Sequence, residues 1–225
     1  MKIPVIGVPI LTGQSLLEEM LDTIDVEVGE IVVIDNGDII KDLDGCTVIK
    51  PGRNLGVAAS WNHIMAIRPE AAWWAMIGYD VTFAHGDLTR LVVHMEQVGG
   101  LGLLAGFSAF GIDHTALDLA GTFDENFHPA YFEDNDYDRR CQLAGVPLHG
   151  LPAGLLHRVS STINNNVVYR TENSRTFPYN AAYYRQKWGG TPRQEQYDTP
   201  FDEGGSVKEW TLDEDRLAIQ AWSRA

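Results

Sequence analysis

The stretch YFEDNDYDRRCQLAG, residues 131–145, places four carboxylates (Glu133, Asp134, Asp136 and Asp138) within six positions and follows them with Arg139 and Arg140. Carboxylates held at a fixed point can take a proton from a reacting hydroxyl, which a freely moving side chain does poorly. The same run also has the composition of a solvated helix start: acids suit the positive end of a helix, Asp134 or Asn135 can cap free amides, and arginines suit later turns. The flanking residues separate the two readings. Tyr131 and Phe132 precede the acids, while Tyr137, Cys141 and Ala144 recur at helical spacing. One side of this helix is therefore expected to be buried, with its acidic mouth held in place.

The elements that would position these acids are βα units. IPVIGVPI reads as a strand, followed by a helix with Ser15 and Glu18 as a capping box and Leu17, Met20, Leu21 and Ile24 on one face. EIVVIDNG is a second strand ending in Asp35, and CTVIK is a third. The loop PGRNLG then leads to a helix whose Trp61, Ile64 and Met65 point inward. WWAMIG is a fourth strand stopping at YDV. Asp87 is placed to cap a helix with Leu88, Leu91, Val92 and Met95 on one face, and GLGLLAGFSAFG reads as one further strand. Alternation of this kind predicts an α/β fold with a mostly parallel central sheet flanked by helices. In such sheets ligands collect beyond the carboxyl ends of the strands, and Asp35, Asn54 and Asp80 each lie just past one.

The later sequence is less regular. GTFDENFHPAYFEDND reads as a loop entering the acidic helix, VPLHGLPAGLLHRVSS as a late strand or hairpin, and YNAAYYRQKWGG as a helix stopped by glycines. From position 191 the composition turns polar and proline-containing, and Thr211 with Glu214 forms a second capping box before the amphipathic LAIQAW. A domain over 1–190 and an extension over 191–225 follow. The extension, carrying Trp210, Leu212, Leu217, Ile219 and Trp222, is expected to dock on the domain or on a second copy of the chain.

Seventeen Lys and Arg against 31 Asp and Glu give a formal charge of -14 over 225 residues, which disfavours an extended nucleic-acid surface or an anionic membrane as partner. A small phosphorylated ligand stays compatible if a metal or local bases offset the acidic field. Cys46 and Cys141 are too few and too far apart for a disulfide framework or a zinc knuckle. The first residues read as a strand rather than a leader, no stretch reaches membrane-spanning length, and a cytoplasmic setting is expected, bacterial or phage-related.

The order of pieces resembles the family 2 glycosyltransferases of the GT-A fold, in particular their bacterial rhamnosyltransferase-like branch. The resemblance runs over roughly residues 3–190 and is carried by VIDNG, NLGVAASWN, YDV, GTFDENF, YFEDNDYDRRCQLAG, HRVSS and YNAAYYRQKWGG in that order. It implies transfer of a sugar from a UDP- or dTDP-sugar to an acceptor hydroxyl, metal-assisted and inverting. Pro9 and Asp35 would then hold the nucleobase, where Asp35 is otherwise a turn-forming residue. Asn54, with Gly56 beside it, would approach the ribose or diphosphate, and Arg53 a phosphate. Asp80 resembles the last acid of the family's D-x-D element, which holds Mn2+ or Mg2+, but Gly78 stands where the first acid would be. His157 resembles a downstream histidine that ligates the metal, or it is a hydrogen-bonded structural residue; His85 reads as surface. Asp134 is implied as the catalytic base, with Glu133 as the alternative or as an acceptor ligand. Asp136 and Asp138 are read as helix-start acids paired with Arg139 or Arg140, and Asp124 and Glu125 line the acceptor side or a turn.

Two other functions fit the same elements. A sugar nucleotidyltransferase shares a nucleotide-binding sheet, but its usual Gly-rich basic loop is missing from VPILTGQSLLEE. A silent sugar-nucleotide-binding protein would account for the missing first acid.

Overall fold

The computed structural model describes residues 2–158 and 167–222. Strand β1 (Ile3–Ile10) lies between β2 (Val28–Asp35) and β4 (Trp73–Ile77), parallel to both, and β3 (Thr47–Ile49) pairs parallel with β2. Strand β7 (Ala109–Asp113) runs antiparallel to β4 and to β6 (Leu101–Leu103), and β8 (Leu148–Gly150) adds parallel to β6. The resulting order is β3-β2-β1-β4-β7-β6-β8, and a separate two-stranded ribbon joins β5 (Val81–Thr82) to β9 (Leu156–His157). The mostly parallel sheet expected from the sequence is present. GLGLLAGFSAFG is a hairpin rather than one strand, because the Leu104 amide bonds to the Ala109 carbonyl and reverses the chain.

Alternation along the strands builds two cores. In β4, Trp73, Ala75 and Ile77 face a cluster with Leu17 and Met20 of α1 (Gln14–Leu21) and Leu88, Leu91 and Met95 of α3 (Asp87–Gln97). Trp74 and Met76 face the opposite cluster, with Trp61 and Ile64 of α2 (Gly56–Ile67), Ala116 of α4 (His114–Ala120) and Tyr137 of α5 (Glu133–Ala144). Apolar side chains dominate both clusters, as a sheet covered on both faces requires, and the Tyr137 hydroxyl in the second is bonded to the Gly121 carbonyl.

Several caps differ from expectation. Helix α1 starts at Gln14 behind Gly13, whose φ of 84° only glycine takes easily, so Ser15 falls inside the helix and Glu18 accepts from the Gln14 amide instead. Gly86, not Asp87, precedes α3. The buried Asp87 carboxylate accepts from the Ala84 and Gly154 amides and pairs with Arg90, tying two loops together.

Helix α6 (Val167–Trp188) ends at Gly189, and residues 191–222 fold back onto it. A short turn (Pro200–Asp202) leads to α7 (Glu214–Trp222), whose first turn is capped by Asp213, not Thr211. Arg216 holds this segment down: it donates to the Asn126 and Tyr179 carbonyls and to Asn180 Oδ1, and lies 4.2 Å over the Tyr183 ring. Leu212 and Leu217 are half-buried; the side chains of Ile219 and Trp222, and residues 159–161 of the HRVSS motif, lie outside the described ones. Cys46 and Cys141 are both free.

Candidate active site

Strands β1, β2 and β4 run in one direction and end at Ile10, Asp35 and Ile77, so the loops after them share a rim. A cavity of about 450 Å³ opens there, bounded by Pro9, Asp80, Glu133, Asp134 and His157 with Tyr79, Tyr131 and Tyr169 as aromatic walls. Four residues from three separate parts of the chain thus meet: the two leading acids of α5 and the two candidate metal ligands. A narrower cleft of about 80 Å³ continues from it through the shared Pro9, Val57, Tyr79 and Tyr169, towards Asn36, Asn54 and Gly56.

The acids sit on an unusual helix start. Tyr131 and Phe132 take φ of 77° and 76°, a left-handed conformation costly for aromatic residues, immediately before Glu133. The buried Asn180 amide compensates by donating to the Ala130 carbonyl at 2.9 Å and to the His128 and Tyr131 carbonyls at 3.3 Å. Arg216 bonds the other end of the same amide. The chain is therefore clamped where it delivers the acids, and nothing local in the sequence announces Asn180 as the clamp.

Glu133 is 6% exposed, and among the described residues its Oε2 has no hydrogen-bond partner. Burial, reinforced by the neighbouring Asp134 carboxylate, pushes its carboxyl well above the usual range. Asp134 is half-buried and its Oδ1 accepts from the Asn135 amide; burial raises its carboxyl as well. Asp136 is different. Burial alone would push it up, but Lys187 and Arg140 outweigh that and hold it low. Its oxygens meet Arg140 Nε at 2.8 Å, Lys187 Nζ at 2.7 Å and Trp188 Nε1 at 2.8 Å. Asp138 accepts from Gln142 rather than from an arginine, and Arg139 reaches Asp198 instead.

A testable consequence follows for Glu133. Its raised pKa means that the native state resists ionisation while the unfolded chain ionises above about pH 4.3, so native stability falls as pH rises through that window. Glu133→Gln removes the conflict. The variant is expected to be more stable near pH 8, by about 1.4 kcal/mol for each unit by which burial lifts the native pKa above the unfolded one, with the gap closing near pH 4. Melting curves across that range check it; a variant less stable than its parent at pH 8 contradicts the unpartnered placement.

Asp80 Oδ1 and His157 Nε2 stand 3.5 Å apart. Two ligands at neighbouring corners of an octahedron lie about 3 Å apart at metal–oxygen distances near 2.1 Å, so the pair fits part of a divalent-metal shell. Among the described residues no group of three His, Cys, Asp or Glu converges to hold an ion alone. Substrate phosphates and water would have to complete the shell.

The remaining candidates divide. Gly56, with φ of 79°, opens α2 within close reach of the Pro129 carbonyl: an added Cβ would lie 2.7 Å from that oxygen. Asn54 Oδ1 accepts the Gly56 amide, and Asn54 lines the narrow cleft. Arg53 is exposed and lines not the cavity but a groove of about 570 Å³, with Asn54, Glu125, His63 and His128. Asp35 follows its turn-forming reading: it is 1% exposed, lines neither part of the cavity, and accepts the Ile39 and Ile40 amides at 3.0 and 2.8 Å. Asp124 takes its turn alternative, its Oδ1 accepting the Asn126 amide at 2.9 Å, and its acceptor-side alternative is corrected. It is fully buried and accepts from Lys187 at 2.7 Å and Tyr183 at 2.9 Å, so no acceptor can reach it. Glu125 accepts from Asn62 and faces the outer groove, not the cavity. Trp61 is core, as its spacing suggests, edge-on to Phe110 and tilted against Phe123, and it also lines the cavity. His85 is on the surface beside Asp25.

No protein-family model matches the chain. Over 131 residues it is 28% identical to a galactofuranosyl glycosyltransferase of Leishmania donovani, a match spanning 48% of this chain and 30% of that protein. Among solved structures, it is similar to mannosyltransferase PcManGT from Pyrobaculum calidifontis in complex with GDP-Man and Mn2+, at 15% identity and TM-score 0.54, over 80% of this chain and 64% of that one. Glucosyl-3-phosphoglycerate synthase from Mycobacterium tuberculosis, with Mn2+, UDP and phosphoglyceric acid, gives 14% identity and TM-score 0.54 over 80% and 78%. S. aureus TarS gives 16% identity and TM-score 0.52 over 67% and 58%. The chain has the GT-A, nucleotide-diphospho-sugar transferase fold. Among the described residues no helix is long and apolar enough to cross a membrane.

Proposed function

We propose that this protein is a family 2-like, inverting glycosyltransferase that moves a hexose-type sugar from a pyrimidine nucleoside diphosphate, UDP or dTDP, to an acceptor hydroxyl. The observation that carries the reading is the convergence of Glu133, Asp134, Asp80 and His157 on one cavity past the ends of the parallel strands. The narrow cleft at Asn36, Asn54 and Gly56 favours a one-ring base. The fold and the galactofuranosyl relative supply analogy only.

In this reading Asp134 accepts the proton of the acceptor hydroxyl as its oxygen bonds to the anomeric carbon, and the electron pair of the breaking bond leaves with the diphosphate. Burial raises its carboxyl, which makes it a better proton acceptor. Glu133, at the same mouth, is placed to orient the acceptor. Asp80 and His157 would hold a manganese or magnesium ion, which offsets charge building on the leaving diphosphate. Tyr79, Tyr131 and Tyr169 wall the cavity and exclude water from the donor. The chain's strong acidity makes such a cation more necessary, since few bases line the cavity.

A melting scan with nucleoside diphosphates tests the donor assignment. UDP or dTDP at a hundred times its Kd, with manganese, is expected to stabilise the native state by about 2.7 kcal/mol, and GDP or ADP by less. No shift with any nucleotide, with or without metal, refutes it. Binding without hydrolysis or transfer from any sugar nucleotide would instead assign the silent, binding-only function for which Gly78, in place of the first acid, already speaks.

A further inference from the structure

The segment that folds back over α6 does more than fasten itself. Between it and the helix lies a second cavity of about 540 Å³, sharing no residue with the donor cavity or its narrow cleft. Its size is that of an ordinary small-ligand site. Tyr179 of α6, 45% exposed, and Phe201 and Trp210 of the folded-back segment supply aromatic surface. Phe201 and the following Asp202 both take φ of 61°, an unfavourable conformation that sets Phe201 on the cavity rim. Tyr183 is largely taken up, with Arg216 over one face and the Phe127 and Phe201 rings packed against it.

The polar groups are as informative as the rings. Glu203, Glu209 and Gln186 line this cavity as exposed side chains, open to a ligand and bonded to no other described residue. Arg216, its nearest cation, is engaged with the Asn126 and Tyr179 carbonyls and Asn180. Two carboxylates that only accept and one amide that also donates suit a ligand whose groups do both, which is the property of a hydroxyl. A phosphate or uronate would meet uncompensated carboxylates, and a simple cation would leave the Gln186 amide and the rings without a role.

We propose that this cavity is a saccharide-binding site for an uncharged sugar of one to three residues, its hydroxyls bonded by Glu203, Glu209 and Gln186 and its apolar ring face laid on Trp210, Phe201 or Tyr179. The site goes beyond the transfer reading and stands independently of it, since binding here needs neither nucleotide nor metal. If the transfer reading also holds, the site would retain a glycan carrying the acceptor.

Calorimetric titration of the full chain with the methyl glycosides of glucose, galactose, mannose and N-acetylglucosamine, and with their disaccharides, tests the proposal. Saturable binding by at least one sugar is expected, unchanged by UDP with manganese. Trp210→Ala and Glu203→Gln should each weaken it at least tenfold; Glu203 is exposed, so its variant keeps the fold even if the tryptophan variant does not. Three results overturn the proposal: no saturable binding across the panel, binding competed away by UDP, or binding unaffected by Glu203→Gln. Tighter binding of a lysine-rich peptide than of every sugar overturns it as well, by showing that the carboxylates serve a cation.

Discussion

Replacing Lys187 with alanine is expected to destabilise the protein by about 3–5 kcal/mol, the usual cost of removing one partner from a buried ion pair. Lys187 has no exposed side-chain surface, and its Nζ lies 2.7 Å from both Asp124 Oδ2 and Asp136 Oδ1. Truncation leaves two buried carboxylates facing an empty space. For a chain of this size the loss corresponds to a fall in Tm of roughly 6–20 °C. The direction with pH is also fixed. In the parent, Asp136 is held low by its cations, so its contribution is present above the unfolded pKa and fades only in acid. In the variant Asp136 has lost one of the two cations that hold it low and protonates more readily, so the deficit should shrink as pH falls towards 4.

A second variant shows whether charge, rather than lost packing, is responsible. Asp124 faces Lys187, whereas Asp136 also has Arg140 at 2.8 Å. Adding Asp124→Asn to the Lys187→Ala background should therefore recover part of the loss, because the remaining acid keeps a cation. Strictly additive losses would mean that the network is not electrostatically coupled. Chemical denaturation of the four proteins of the cycle measures it. The network joins α5 to the end of α6, so it fixes the helix that carries Glu133 and Asp134.

How much of this was legible depends on whether the governing interaction is local. Strands β1, β2 and β4 and the inward face of α2 follow from apolar period and turn residues, which act over a few positions. The anchored α5 was likewise readable from Tyr137 and Cys141, both fully buried. The acidic run was only half readable. Asp136 and Arg140 are spaced as a surface i,i+4 pair, yet both are fully buried, because Lys187 and Trp188 arrive from about fifty positions away. The turn at Asp124 was readable, but its burial was not, for the same reason: its partner Lys187 lies 63 positions on. The hairpin inside GLGLLAGFSAFG was hidden by apolar residues on both sides of its turn. Asn180 was invisible because its role is to bond carbonyls of a loop 49–52 positions earlier.

Asp134→Asn is expected to lower sugar transfer by two to four orders of magnitude while leaving nucleotide-induced stabilisation intact. The change keeps side-chain size and the hydrogen bond to the Asn135 amide, removing only the ability to take up a proton. A thousandfold loss is about 4 kcal/mol of transition-state stabilisation, beyond what any half-exposed charge contributes by field alone. Asp138→Asn supplies the comparison: its carboxylate lies one turn further along α5, bonded to Gln142 and outside the cavity, so transfer should stay within twofold. Glu133→Gln distinguishes the two acids at the mouth. If Glu133 orients the acceptor, KM for the acceptor rises and the loss in kcat is smaller than for Asp134→Asn. If Glu133→Gln abolishes turnover and Asp134→Asn does not, the proton goes to Glu133, whose unpartnered Oε2 and high pKa suit it to hold one. Should all three variants turn over normally, α5 is not the catalytic helix, and the convergence of its acids with Asp80 and His157 has another cause.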